Sequence, residues 1–400
     1  MLILDILIRK DKKFSTKTLS LRIFITSMKN SYRTTDSEQR IVFLDYLRVI
    51  ACFMVILVHC IEPFYLNSEG TYIASRSDAL WVTFLNSLLR IAVPLFVMAS
   101  SYLLLPLKSD TQTFYRRRFE RVAIPFIFWS LAYAFIPMWG SGGEVAISEN
   151  LKQLSVNLMW HSGHLWFVYM LIGLYLFMPI LSPWLERVSK QGERAFLLLW
   201  LFSTAVPFFR ELALTLRGTA EVWGEASWNE FGLLYYFSGF IGYIVASDYI
   251  RKYVDWSVAK SILIALPMIA VGYTITALPF YIQLPDNYPI IDTIDLAVKL
   301  ELSWDFTMTG VALMTLGVFI LLKLIKQPTR GYGLIYDISR LSYGIYLLHM
   351  FVLVAVFDIV SSWGMTTPLT MVVSALLTFT CSAIVAKLIS LLPKSKYIVG

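Results

Sequence analysis

The feature that most constrains this chain is a series of long apolar runs, each 17 to 27 residues, separated by short polar loops. A helix rises 1.5 Å per residue, so runs of this length match roughly 30 Å of hydrocarbon. Ten such runs are read at residues 41–62, 80–105, 122–139, 164–184, 194–210, 230–247, 258–280, 303–325, 341–361 and 366–392. Composition points the same way: 57% of the residues are hydrophobic and only 15% charged. Soluble domains carry about 25% charged residues, and a chain this apolar cannot cover a wetted surface. Trp and Tyr collect near the ends of the runs, which suits anchoring at a membrane interface. The expected fold is all-α: a polytopic integral membrane bundle of about ten transmembrane helices.

Charge supplies the orientation. The formal net charge is +7, which raises the question of nucleic acid, but the cations follow the loops. Residues 1–40 hold nine Lys and Arg, and the loops at 106–121, 185–193, 248–257 and 326–340 are all basic, as is the end of the chain with Lys394 and Lys396. The alternate loops are poor in cations, with Arg76 alone in the first, Lys152 alone in the second, Lys299 alone in the fourth and none in the last. Cytoplasmic loops are the basic ones, so both termini are expected in the cytoplasm. The bilayer, and no nucleic acid, is the expected partner of this charge. Residues 1–40 read as a basic cytoplasmic arm, 41–392 as the membrane domain and 393–400 as a cytoplasmic tail. Cys52, Cys60 and Cys381 all fall inside apolar runs and read as small core residues, with no disulfide framework.

Charged groups inside a spanning helix are costly and normally face a cavity where they work. In the first run Asp45 and Arg48 are three residues apart and so are neighbours on a helix. His59 follows Arg48 by eleven residues, about three turns on and only ~20° around the axis. Asp45, Arg48 and His59 thus share one face, and Glu62, a turn later, is placed to orient His59. A purely structural reading is also open, in which Asp45 neutralises Arg48 and His59 is a satisfied core histidine. Arg90 lies well inside the second run with no carboxylate on its own helix, so it needs a cavity or a partner such as Asp45 or Asp305.

Ahead of the third run, Arg118 and Arg121 stand three apart at a helix start. Guanidinium forks beside free backbone N–H groups can grip phosphate there. Arg116 and Arg117 read as ordinary loop charge. The fourth run opens with His161, His164, Trp166 and Tyr169, and the spacing of the two histidines alone does not make a metal site. In the ninth run Ser342, Tyr346 and His349 form one polar stripe, suited either to a site or to bonding between helices.

Taken in order, these residues carry a resemblance. Leu44-Asp45-Tyr46-Leu47-Arg48 followed at the same spacing by His59, then Val93-Pro94-Leu95-Phe96, Arg118 and Arg121, His164-Leu165-Trp166-Phe167 and Leu341-Ser342-Tyr343-Gly344-Ile345-Tyr346-Leu347-Leu348-His349 resemble the membrane acyltransferase-3 family. The resemblance covers nearly all of residues 40–392. One departure stands at Ser101, where the family's Ser-Gly pair reads Ser100-Ser101. The chain is similar to the stand-alone members, which lack an added extracytoplasmic domain.

The resemblance implies an O-acyltransferase of the bacterial inner membrane. Its donor is an acyl-CoA, most simply acetyl-CoA, and its acceptor is a sugar or glycolipid hydroxyl at the cell surface. Moving an acyl group from thioester to hydroxyl needs a base and positive charge beside the developing oxyanion. The expected catalytic residues are His59 as base, Arg48 and Arg90 for the oxyanion or the donor, and Asp45 to hold Arg48. Arg118 and Arg121 would take the CoA phosphates, and His164, Trp166, Tyr346 and His349 the substrate; no metal is expected. Two other readings stay open: a transporter or flippase of a charged lipid or sugar, and an acyltransferase acting on a lipid or small molecule.

Overall fold

The computed structural model describes residues 40–136, 147–157, 162–219 and 239–400. The basic arm up to residue 39 and His161 lie outside the described residues. Helix α1 is Val42–Ile61. Helix α2 runs from Arg76 to Leu104 in consecutive pieces, and α3 joins Thr111–Arg118, Phe119–Ala123 and Ile124–Phe135. Then follow α4 (Ile147–Val156), α5 (Trp166–Arg187), α6 (Lys190–Arg217), α7 (Ile241–Tyr253) and α8 (Val258–Gln283). The chain continues with α9 (Ile294–Leu300), α10 (Thr309–Leu322), α11 (Tyr332–Ser361), α12 (Thr367–Ser390) and the short α13 (Lys396–Val399).

Among the described residues seven helices are long and apolar enough to cross a membrane, and an eighth span results if one bent pair counts as a unit. This is a helical, multi-pass membrane protein. The run at 194–210 sits inside the longer α6, which continues through Pro207. The run at 122–139 becomes the end of α3, and the run at 230–247 is described only from residue 239 onward.

The run at 303–325 is corrected. Its α-helix is only Thr309–Leu322, and the preceding α9 with its 3₁₀ extension to Trp304 meets α10 at 47°. Asp305 causes the break, because its side chain accepts from the Thr307 amide at 2.7 Å and the Thr307 hydroxyl at 2.6 Å. Such local capture by Asp competes with the helical hydrogen-bond ladder. Cys381 is also corrected, since it is exposed whereas Cys52 and Cys60 are buried.

Lipid-facing side chains are apolar and uncovered, as Leu263 on α8, Ile180 on α5 and Leu388 on α12 show. Helices meet through small residues where their backbones approach closely. A Cβ on Gly317 of α10 would stand 2.8 Å from the Ala265 carbonyl of α8. On the basic-loop face Lys252 of α7 donates to the Leu185 carbonyl of α5 at 2.6 Å and pairs with Glu193 of α6 at 2.7 Å.

Two prolines shape the site. Pro94 has no N–H for the carbonyl four residues back, and α2 opens at Arg90 and Ile91 after a π-helical stretch at Val82–Asn86. In α3, Pro125 likewise frees the Arg121 carbonyl after the π-helical Phe119–Ala123. Both irregular turns carry an arginine that faces the same cavity.

A small antiparallel sheet lies on the opposite face, unannounced by any long alternating pattern. Its strands are β1 (Leu66–Asn67), β2 (Gly70–Ile73) and β3 (Ile290–Asp292), with Thr71 opposite Asp292. Asn67 Oδ1 accepts from the Glu69 and Gly70 amides at 2.9 and 3.0 Å, and Gly70 takes φ +142°, which closes the hairpin. The sheet ties the loop after α1 to the loop before α9, and so brings Glu301 over the end of α1.

Candidate active site

A cavity of about 1110 Å³ runs through the bundle and collects most of the polar residues singled out in the sequence, though neither Asp45 nor His349 lines it. Arg40, Arg118, Arg121, Arg340, Lys387 and Lys396 line its mouth on the basic-loop face, Arg48 stands further in, and His59, Glu62, Arg90, His164, Trp166 and Tyr346 line the far end. Helix α1 is the spine, with Arg48 and His59 on the stripe that its period predicts.

At the far end His59 Nδ1 lies 2.9 Å from Glu62 Oε2. An ionised carboxylate can only accept, so Nδ1 carries the proton and Nε2 holds the free lone pair. His59 is the most chemically ready group in the cavity. Two more histidines surround it, His349 with ring centroids 5.3 Å away and His164 at 6.3 Å. The His349 ring has Nδ1 on the Tyr346 carbonyl at 2.5 Å. Nε2 of His349 and Nε2 of His164 are buried without a protein partner. Among the described residues no set of three His, Cys, Asp or Glu side chains is arranged to hold a metal ion.

Arg90 is 8% exposed and meets neither carboxylate expected of it. Its Nη2 is 3.6 Å from Glu301 Oε1, and its guanidinium lies 4.6 Å from the centroid of the Trp304 ring. Its Nε and Nη2 have no hydrogen-bond partner. Glu301 in turn accepts from the Tyr65 hydroxyl at 2.6 Å. Buried donors without partners cost about 1–3 kcal/mol each, so these N–H groups are poised for an incoming acceptor oxygen. Trp166 stacks on Phe306 with centroids 5.2 Å apart, which sets an aromatic wall beside them.

The expected pairing of Asp45 with Arg48 is corrected. Asp45 is 2% exposed and takes Arg40 through two bonds, 2.7 and 2.8 Å, with Ser339 at 2.6 Å and Tyr332 at 2.5 Å completing its shell. Arg40, just ahead of α1, reaches back over one turn and forms the fork that a carboxylate accepts best. The cluster fastens α1 to α11 through the Asp45 bonds to Tyr332 and Ser339. Arg48 is left facing the cavity, with no carboxylate within ion-pair distance among the described residues.

Tyr346 donates to the His164 carbonyl at 2.6 Å, so this residue of the ninth-run stripe ties α11 to the start of α5 while it borders the cavity. Ser342 turns back to the Ser339 carbonyl on its own helix at 2.9 Å. Arg116 and Arg117 are exposed, whereas Arg118 and Arg121 line the mouth, and Arg118 Nε is buried without a partner.

The family described as an acyltransferase domain, acyltransferase-3, matches residues 41–387. The chain belongs to this membrane acyltransferase family. No curated protein and no solved structure shows significant similarity to it. In this acyltransferase the serine that replaces the family's glycine is accommodated locally. Ser101 is buried and its hydroxyl donates to the carbonyls of Val97 and Met98 at 2.9 and 3.0 Å, while Ser247 of α7 donates to the same Met98 carbonyl at 2.9 Å.

Sequence reasoning passed over other residues at or beside this cavity. Glu301 and Tyr65 sit in loops outside any apolar run and carry no motif. Arg340 was counted only as loop charge, although it lies four residues before Gly344 and nine before His349 on what proves to be one continuous helix. That spacing was the available signal.

Proposed function

We propose that this acyltransferase moves an acetyl group from acetyl-CoA to a sugar hydroxyl of a cell-surface polysaccharide or glycolipid in the bacterial inner membrane. The observation that carries the reading is the single cavity with a cationic mouth at one end and a carboxylate-oriented histidine at the other. By the positive-inside rule the basic-loop face, with both termini, is cytoplasmic. CoA is made in the cytoplasm, so its phosphates would meet Arg118 and Arg121 there, and its flexible pantetheine arm would extend past Arg48 toward His59.

In this mechanism His59 Nε2 takes the proton of the acceptor hydroxyl as its oxygen attacks the thioester carbonyl. The unpaired N–H groups of Arg90 stabilise the resulting oxyanion. When the tetrahedral intermediate collapses, the C–S bond breaks and the protonated His59 returns its proton to the departing thiolate. One ester and one CoA thiol result, and His59 is restored. Glu62 keeps the ring in the working tautomer and balances its transient charge. Trp166, Tyr346 and the free nitrogen of His164 face the acceptor, whose hydroxyls suit such a wall, while His349 packs behind His59.

The test is calorimetric and kinetic on purified protein in detergent. CoA should bind, and acetyl-CoA should slowly lose its acetyl group to water. Arg118→Ala and Arg121→Ala should each raise the acetyl-CoA KM about tenfold while changing kcat less, since they hold a part of the donor that does not react. A carrier that merely moved a solute would leave the thioester intact, and that result would overturn the reading.

A further inference from the structure

The last thirteen residues lie beyond the segment matched by the acyltransferase family, which ends at residue 387, yet they fold back into the cavity mouth. Trp129 of α3 donates its indole N–H to the Ile398 carbonyl at 2.8 Å. Val399 is 4% exposed and sits where α11 has no side chain: a Cβ on Gly344 would stand 2.7 Å from the Val399 Cβ. A Cβ on Gly400 would lie 3.2 Å from the Arg121 carbonyl of α3. The segment is thus clamped between α3 and α11, the two helices that carry Arg118, Arg121 and Arg340.

Its polar side faces the opening. Ser395, Lys396, Val399 and Gly400 line the cavity together with those arginines. Beyond Asp45, which holds Arg40, two more carboxylates answer the cations at this rim. Asp337 pairs with Lys387 at 3.2 Å and Glu120 pairs with Lys396 at 3.6 Å. The second pair is loose and more than two-fifths exposed on both sides, so it contributes little and is easily exchanged. Arg118, Arg121 and Arg340 have no ion pair among the described residues. A rim with this excess of positive charge, a guanidinium nitrogen buried without a partner and a hydrophobic latch beneath it is built for a polyanion.

We propose that residues 395–400 are a wall of the donor site, in which Lys396 joins Arg118, Arg121 and Arg340 on the phosphates of the acyl-CoA nucleotide and the Val399–Gly344 latch holds that site formed. The proposal rests on the acyl-CoA reading given above. It assigns a ligand contact to a segment that the family match does not include.

The experiment is titration of the purified full-length protein with CoA, in parallel with S-acetylpantetheine as a donor without the nucleotide phosphates. Lys396→Ala removes one contact from an exposed position and should weaken CoA binding roughly two- to fivefold. Val399→Asp places a charge in the latch, should release the segment and weaken CoA about tenfold. In both variants the rate with S-acetylpantetheine should fall less than the rate with acetyl-CoA at the same subsaturating concentration. If both variants bind CoA as wild type does while Arg118→Ala does not, the segment is no part of the donor site and the acyl-CoA reading stands. Tighter binding in Val399→Asp would make the segment a plug, which also overturns the proposal. If wild type binds no CoA, the acyl-CoA reading itself fails and takes the proposal with it.

Discussion

Replacing His59 with alanine is expected to lower acyl transfer by about 10²–10⁴-fold, the usual loss on removing a general base. The variant should still insert and fold. Its imidazole is bonded to Glu62, one turn further along the chain, and holds no two helices together. Monodisperse elution in detergent and an unchanged melting temperature would establish that, leaving the rate as the readout. CoA affinity should stay near the wild-type value, because the proposed phosphate contacts, Arg118 and Arg121, lie at the other end of the cavity. A His59→Ala protein that kept more than a tenth of wild-type activity would refute the assignment. Glu62→Gln offers a graded check, since it keeps the size of the partner but removes its charge. It should cost less than His59→Ala and lower kcat more than it raises KM.

Arg90→Gln should lower kcat by about 10²–10³-fold, the loss seen when an oxyanion donor is removed. Glutamine retains most of the side-chain volume against Trp304, so packing loss is limited. The charge is what disappears. Arg90 is buried, faces the cavity with two unbonded nitrogens and has only a 3.6 Å contact to Glu301. A purely structural ion pair would close that distance and satisfy those nitrogens. The two roles separate by measurement. Loss of kcat with unchanged melting temperature and acetyl-CoA KM supports oxyanion stabilisation. A melting temperature that falls in step with activity would make Arg90 a structural residue.

How much of this was legible in the sequence depends on the kind of signal. Spans rest on apolar run length, a local property, and the long helices appear where the runs are. Period placed Arg48 and His59 on one face for the same reason. Glu62 was found because it is one turn from His59. Pairings across the chain were not legible. Asp45 was matched to its helical neighbour Arg48, but a residue ahead of the helix, Arg40, and two hydroxyls 287 and 294 positions away claimed it. The partner of Arg90 was sought among carboxylates in apolar runs, whereas Glu301 arrives from a loop that β3 holds in place. The run at 303–325 starts its α-helix only at Thr309, because the Asp305 side chain captures the Thr307 amide ahead of it. Residues 393–400 read only as a cytoplasmic tail because Lys394 and Lys396 dominate them, and the contact of Val399 with Gly344 had no local signal.

The central claim is that donor and acceptor enter one cavity from opposite faces of the membrane. Sealed vesicles of defined orientation test it most directly. A cysteine at Gly143, which lies outside the described residues in a loop assigned to the outer face, marks orientation through an impermeant thiol reagent. Acetyl-CoA labelled in its acetyl group is then supplied to one face at a time, and label in membrane saccharide is counted. Transfer from donor on the cytoplasmic face alone, with the Gly143 cysteine modified only from outside, is the result predicted here. Label transferred from donor added at the outer face, or a Gly143 cysteine modified from the cytoplasm, would contradict it.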